Sequence, residues 1–428
     1  MERTIGTLIA LVIFQNIAHA QQIPFRRGPE FIPGKYIVVL DRAQVVNGMF
    51  FGAKPVTNGF ENRVSHQYGA AFDGFAAELT DAEVMKLAMD PRVLHIEQDQ
   101  VVRLSGKPGG GGGGGGGGGT PQPAQSIPWG ISRILATQSS ALAGNGTGSV
   151  NIDVAVIDTG IDLTHPDLTV AGGRNFTGGS PTNYSDANGH GTHVAGTIAA
   201  KDNTIGVVGV APGARLWAVR VLDRSGSGTM SGVISGVDWV TSNASTIEVA
   251  NMSLGGGNST ALNSAIDKAV AAGVTFVVAA GNSSTDCRSS SPANSTNTGV
   301  VTVSALDQNG SLAYFSNFGL NFSDDAGAEN GVDVTAPGVN IYSTAMGSGY
   351  TTMSGTSMAS PHVAGTAALC KAANPSMTPA QVKQSVMNSA PAAYLGTGSS
   401  GIFGIAPWAV TSGDADGFTE PLVNASGY

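Results

Sequence analysis

Six apolar runs, at 152–157, 215–221, 247–252, 273–280, 300–304 and 332–335, constrain the fold of this chain more than any other feature. Most are too continuously apolar for strands with one wet face, so each is read as a strand covered on both sides. Stretches of helical periodicity near 191–200, 230–242 and 260–272 lie between several of them, and the longest helix starts at Ser357. Covered strands alternating with helices lead to an α/β architecture: a mostly parallel sheet with helices on both faces. Ligands of such sheets sit at the carboxyl ends of the strands, so the chemistry is expected there.

Three stretches carry reactive residues at the ends of these elements. VNIDVAVIDTGID closes on Asp158, DANGHGTHVAGTIAA opens a helix at His190, and SGTSMASPHVAGTAALC holds Ser357 where a glycine turn becomes helical. A serine there sits beside free backbone N–H groups that favour developing negative charge. Asp, His and Ser are what a nucleophile, its base and the orienter of that base require. Their order along the chain is Asp, His, Ser, and the final glycine of a GxSxG elbow is missing, which excludes the lipase arrangement. Spacing leaves open whether His190 or His193 is the base. The HxxH pair lacks the glutamate of a zinc peptidase.

IDTGID, HGTHVAGT and GTSMASPHVAG resemble, in type, order and spacing, the three catalytic motifs of the subtilisin family of serine peptidases. The resemblance implies secreted endopeptidase activity on proteins and peptides, with Ser357 as nucleophile, His190 as base and Asp158 as its orienter. It leaves His193 as a packed, hydrogen-bonded residue. AAGN matches the family motif whose asparagine, here Asn282, supplies an oxyanion donor. RSGSGTM and NMSLGGG resemble the two edges between which the family holds a substrate, here Gly226, Ser227 and Gly228 facing Ser253, Leu254 and Gly255. Pairing through the main chain implies broad specificity. The pocket residues around 288–294 look more like the proteinase K branch, and an apolar P1 group is expected. KDNTIGV resembles the family's calcium loop. It implies a structural Ca²⁺ held by side chains of Gln125, Asp167 and Asn203 with carbonyls of Lys201, Ile205 and Val207, the Lys201 ammonium pointing to water. A catalytically silent peptide-binding member of the same fold is the alternative.

The expected organisation is a signal peptide at 1–20, a propeptide at 21–104, a linker at 105–123, the catalytic domain at 124–405 and a tail of no assigned role at 406–428. Arg3, a short apolar core and the small-residue pattern Ala18, His19, Ala20 mark the export signal. Its apolar stretch is too short to span a bilayer comfortably. Strand and helix patterns between 33 and 104, ending in IEQDQVV, resemble the small α+β propeptide that acts as chaperone and intramolecular inhibitor. The eleven glycines at 109–119 cannot bury apolar area and mark a domain boundary. Residues 124–428 hold 10 basic and 19 acidic side chains, a balance that argues against nucleic acid and suits a hard cation. Neither membrane nor nucleic acid is an expected partner, and the chain is expected to be a monomer. Cys287, placed in a surface loop, and Cys370, placed in the helix after Ser357, are expected to stay unpaired.

Overall fold

The structure, a computed structural model, describes residues 30–44, 55–104, 122–319, 331–389 and 420–428. The expected signal at 1–20, the glycine run at 109–119 and the tail stretch 406–419 lie outside the described residues. The N-terminal unit comprises β1 (Phe31–Leu40), β2 (Val64–Tyr68), β3 (Gly74–Glu78), α1 (Asp81–Ala88) and β4 (Val93–Leu104). Its strands form an antiparallel sheet in the order β4-β1-β3-β2. Thr80 and Glu83 start α1 with a reciprocal capping box, and Leu87 turns inward onto Val38, Phe60 and Phe75.

The body follows as α2 (Trp129–Arg133), β5 (Asp153–Asp158), β6 (Val170–Asn175), α3 (His190–Ala199), β7 (Arg215–Arg220), β8 (Ser227–Thr229), α4 (Met230–Ser242), β9 (Val249–Met252), β10 (Leu254–Gly257), α5 (Thr260–Ala271) and β11 (Thr275–Ala279). It ends with β12 (Ser290–Ser291), β13 (Val300–Leu306), β14 (Val334–Pro337), β15 (Ile341–Ala345), β16 (Gly349–Met353), α6 (Thr356–Ala373) and α7 (Pro379–Asn388). The central sheet has the order β14-β13-β11-β9-β5-β7-β6, and every neighbouring pair is parallel. Strand alternation divides the core between the two faces. Val154 and Val156 of β5 pack with residues of α3 and α6, whereas Ala155 and Ile157 pack with residues of α4 and α5.

Two readings of the sequence need correction. The last residues are not a tail apart from the body: Leu422, Val423 and Ala425 are buried, the Thr335 N–H of the edge strand β14 donates to the Pro421 carbonyl, and the Val423 N–H donates to the Thr335 carbonyl. An exposed strand edge there would leave N–H and C=O groups of β14 unpaired, and this segment satisfies them. Cys287 is not on the surface either. It is fully buried beside Ala280, Ala293 and Val332, and its thiol is pushed up to about 12, first by burial. Both cysteines are free, as expected.

The two units meet along β4. Its last residues run antiparallel between β8 and β10, pairing Val102 with Gly228, Arg103 with Ser227 and Gly255, and Leu104 with Leu254. Earlier on the same strand, Asp99 accepts from the Ser231 N–H (3.0 Å) and hydroxyl (2.6 Å) at the start of α4. Glu97, two residues away and so on the same strand face, accepts from the Ser259 hydroxyl and the Ala261 N–H at the start of α5. Helix N-termini carry unpaired N–H groups and favour negative charge, so one strand satisfies two helix ends. Asp238 of α4 reaches back and accepts from the N–H groups of Gly69, Ala70 and Ala71. Since charged hydrogen bonds contribute more than neutral ones, Asp99→Ala should cost about 2 kcal/mol of docking. A separately added segment covering 30–104 with that change should bind the body, residues 124–428, roughly 30-fold more weakly, read from dissociation constants.

Candidate active site

Asp158 ends β5 and His190 begins α3, and two glycines allow these elements to touch. A Cβ at Gly191 would lie 2.1 Å from the Gly160 carbonyl oxygen, and one at Gly160, whose φ is +102°, would strike the backbone around Ser185. With both positions bare, His190 Nδ1 donates to Asp158 Oδ1 at 2.8 Å and Oδ2 at 2.9 Å. A carboxylate has no proton to give, so Nδ1 carries hydrogen, and in the neutral imidazole this fixes the tautomer with Nε2 as acceptor. Asp158 is itself fully buried and accepts from the Thr159 N–H at 2.7 Å. His190 Nε2 is buried and bonds to no described residue.

Ser357 stands in the first turn of α6, and the helix is shaped around it. Pro361 lacks the N–H that would bond the Ser357 carbonyl four residues back. The Ser253 hydroxyl takes that role at 2.9 Å, and the Ser357 hydroxyl donates in turn to the Ser253 carbonyl at 3.1 Å. Ser360 and Asn251 extend this network behind the nucleophile, with Asn251 donating to Ser253 Oγ at 3.0 Å. Asn282 follows β11. Its Oδ1 accepts from the Thr356 N–H at 2.8 Å, one of the orphan donors of the α6 terminus, and this contact orients the amide.

The two histidines that spacing could not separate differ in the structure. His193 donates from Nε2 to the Ile341 carbonyl at 2.9 Å and touches no carboxylate. Burial, with help from the neighbouring His190, pushes it down to about 3. His362 of α6 donates from Nδ1 to the Met358 carbonyl and is pushed down to about 4 by burial.

The substrate edges named from the sequence come together as two walls of one groove, β8 with Gly226 on one side and Ser253 followed by β10 on the other. The N-terminal unit's own end occupies it: Leu104 N–H donates to the Gly226 carbonyl at 3.1 Å, and Val102 is fully buried with Met230 and Leu254. In this antiparallel register the residue after the Leu104 position of a bound peptide stands opposite Ser253, beside the Ser357 hydroxyl.

The expected cation ligands also converge. Asn203 Nδ2 donates to Asp167 Oδ1 (2.8 Å), its Oδ1 accepts from the Ile205 N–H (2.7 Å), and Gln125 Oε1 accepts from the Asn203 N–H (2.5 Å). Sequence reasoning missed Asp202, which accepts from Gln125 Nε2 at 2.7 Å and holds Gly144 and Gly148. It also missed Tyr350, 3.3 Å from Asp167. No pattern marks either residue. Lys201 departs from expectation, since its ammonium bonds the Pro166 carbonyl at 2.8 Å rather than only water. Asp167 is fully buried among uncharged donors, and burial raises its carboxyl above the usual range. Carbonyls of Lys201, Ile205 and Val207 accept from no described residue. The expected donor set is one carboxylate, two side-chain amide oxygens and three main-chain carbonyls, all of them oxygen. That is a set for a hard cation.

Comparison with known proteins now adds to the geometry. A model described as the subtilase family matches residues 149–406, and one described as peptidase inhibitor I9 matches residues 35–105. The chain is 40% identical to a thermostable alkaline protease of Halalkalibacterium halodurans over 85% of this chain and 88% of that protein. It is 40% identical to subtilisin E of Bacillus subtilis over 92% and 94%. Among solved structures, a cold adapted subtilisin-like serine proteinase is 42% identical with a TM-score of 0.52, over 61% of this chain and 91% of that one.

The two depressed histidines give a pH prediction. Their folded values lie below the ordinary 6.5, so between those values the unfolded chain binds more protons and stability is lost as pH falls from about 6.5 towards 4 and 3. At pH 5 each should contribute a loss of about 2 kcal/mol. His362→Gln, which keeps a donor for Met358, should flatten the fall in melting temperature between pH 7 and pH 5. An unchanged fall would contradict the assignment.

Proposed function

Because this chain belongs to the subtilase family and is a serine endopeptidase preceded by an I9-type inhibitor domain, we propose that it cleaves peptide bonds through Asp158, His190 and Ser357, and is secreted as a self-processing precursor. The observation that carries this reading is the His190 Nδ1 contact to both Asp158 oxygens, which makes Nε2 the acceptor of the neutral imidazole. Ser357 Oγ turns from the Ser253 carbonyl, gives its proton to His190 Nε2 and bonds the substrate carbonyl carbon. The oxyanion is met by the Ser357 N–H and the Asn282 amide. His190 then protonates the leaving amine, the C–N bond breaks, and an acyl-enzyme ester remains. Water, losing a proton to His190, hydrolyses that ester and returns Ser357. Asp158 stabilises each transient imidazolium.

Gly226, Ser227, Gly228, Ser253, Leu254 and Gly255 bind the acyl side of the substrate by adding it as a middle strand, which supports broad specificity. Burial of Val102 in that groove supports an apolar side chain three positions before the one opposite Ser253, while an apolar P1 group rests on the family resemblance alone. Export is supported by Arg3, the short apolar core and the Ala18, His19, Ala20 pattern at the N-terminus. Calcium, held by Gln125, Asp167 and Asn203 with carbonyls of Lys201, Ile205 and Val207, would supply the positive charge that buried Asp167 lacks.

Replacing Ser357 by Ala should lower turnover of a peptide substrate by about six orders of magnitude, the size of this effect in subtilisin, a relative. Asn282→Ala should lower it about 10²–10³-fold, also a magnitude from subtilisin. Activity of Ser357→Ala near that of the unaltered enzyme would refute the mechanism. Chelation should lower the melting temperature of the mature enzyme, and Asp167→Asn should remove that sensitivity; an unmoved melting temperature in the unaltered enzyme would refute the cation site.

A further inference from the structure

Both ends of one uncut segment are seated at once. At its start, Leu104 pairs with Leu254 and lies against Gly226, where a Cβ would meet Leu104 Cδ1 at 2.6 Å and Asn188 Nδ2 at 3.6 Å. Leu104 is therefore at the N-terminal end of α3, two residues before His190. At its finish, the arm 122–126 is already docked on the loop beyond the C-terminal end of α3. Gln125 N–H donates to the Thr204 carbonyl, Ser126 N–H to the Gly206 carbonyl and Gly206 N–H to the Pro123 carbonyl, while Gln125 reaches Asp202 and Asn203.

The ten-residue helix α3 separates the two places by about 15 Å. A single residue joining Leu104 to Gln125 would span only two Cα steps, about 7 Å. Such a chain could fill the groove or seat the arm, but not both. This protein has twenty residues between them, eleven of them consecutive glycine, with an extended reach of about 65–70 Å. Glycine also adds no side chain that the groove or the loop must accommodate.

We propose that residues 105–124 act as a spacer that lets the unprocessed precursor complete its cation site while it is still self-inhibited. Assembly of Gln125 with Asp167 and Asn203 then precedes chain cleavage instead of following it. This rests on the calcium reading above for the metal, whereas the docking of the arm does not. Cutting after the groove-bound end leaves the arm where it already is, so maturation requires no movement of 122–126.

The test uses full-length Ser357→Ala precursor with three spacers: the natural twenty residues, nine (residues 109–119 deleted) and one (residues 105–123 deleted). Nine residues still reach about 30 Å. Hydrogen exchange at the Gln125 and Ser126 amides, whose acceptors are present in all three forms, reads docking of the arm, and calorimetry with Ca²⁺ alone reads the metal. Expected are equal amide protection in the twenty- and nine-residue forms, Ca²⁺ affinity within about twofold of the processed enzyme, and loss of both in the one-residue form. The one-residue form should keep protection of β5 and β9, which shows that it folds. Protection of the arm in all three forms, its absence in the natural precursor, or its loss already at nine residues overturns the proposal. Protection in the expected pattern with no Ca²⁺ binding by any form, the processed enzyme included, defeats the calcium reading and leaves the docking order intact.

Discussion

The site depends on how closely α3 and α6 approach the same face of the parallel sheet. Bulky side chains would hold two helices apart, but α3 is buried at all ten positions and α6 at its first fifteen, and most of these residues are Gly, Ala, Ser, Thr or Val. A Cβ at Gly196 would collide with Thr344 Oγ1 at 2.2 Å, and one at Gly365 with Val210 at 2.5 Å. Interiors pack densely, so these absent atoms set the spacing. Since both helices start at the carboxyl edge of the sheet, His190 and Ser357 arrive at the same level as Asp158. The alternation of apolar strands and small-residue helices thus has a chemical consequence.

Main-chain hydrogen bonding is the common language of inhibition and catalysis in this molecule. β8 and β10 are strands of only three and four residues, each with its ladder groups turned towards the gap that β4 fills. A substrate entering that gap would meet the same donors and acceptors. What makes the inhibitor domain hold is found away from the gap, in Glu97 and Asp99 at two helix ends and in Asp238 around residues 69–71. A peptide that lacks those contacts has only the ladder and the apolar seat of Val102. In the proposed reading, inhibitor and substrate share a register and differ in anchorage.

Charge is treated differently at the two buried carboxylates on this side of the sheet. Asp158 is bonded to an imidazole that can become a cation during reaction. Asp167 has only neutral donors around it and would gain from a cation that stays. In the proposed function the same residue type would thus serve opposite uses, a fixed structural charge beside Asp167 and a transient one beside Asp158.

Much of this was legible in the chain. Strands such as Asp153–Asp158 and helices such as Met230–Ser242 follow from period and apolarity, because a covered strand and an amphipathic helix leave different patterns. The three motifs carry their own chemistry, and the parallel architecture follows from the alternation of elements. Other features depend on residues far apart in sequence. Which of His190 and His193 meets a buried carboxylate is decided by a contact across 32 residues. Burial of Cys287, the packing of Leu422 and Val423 on β14, and the pairing of Asp202 with Gln125 leave no local periodicity, since each depends on a neighbour brought near only by folding. Local pattern determines an element and the kind of residue at its end. Only the assembled sheet decides which ends meet, because distance in space is set by packing and not by separation along the chain.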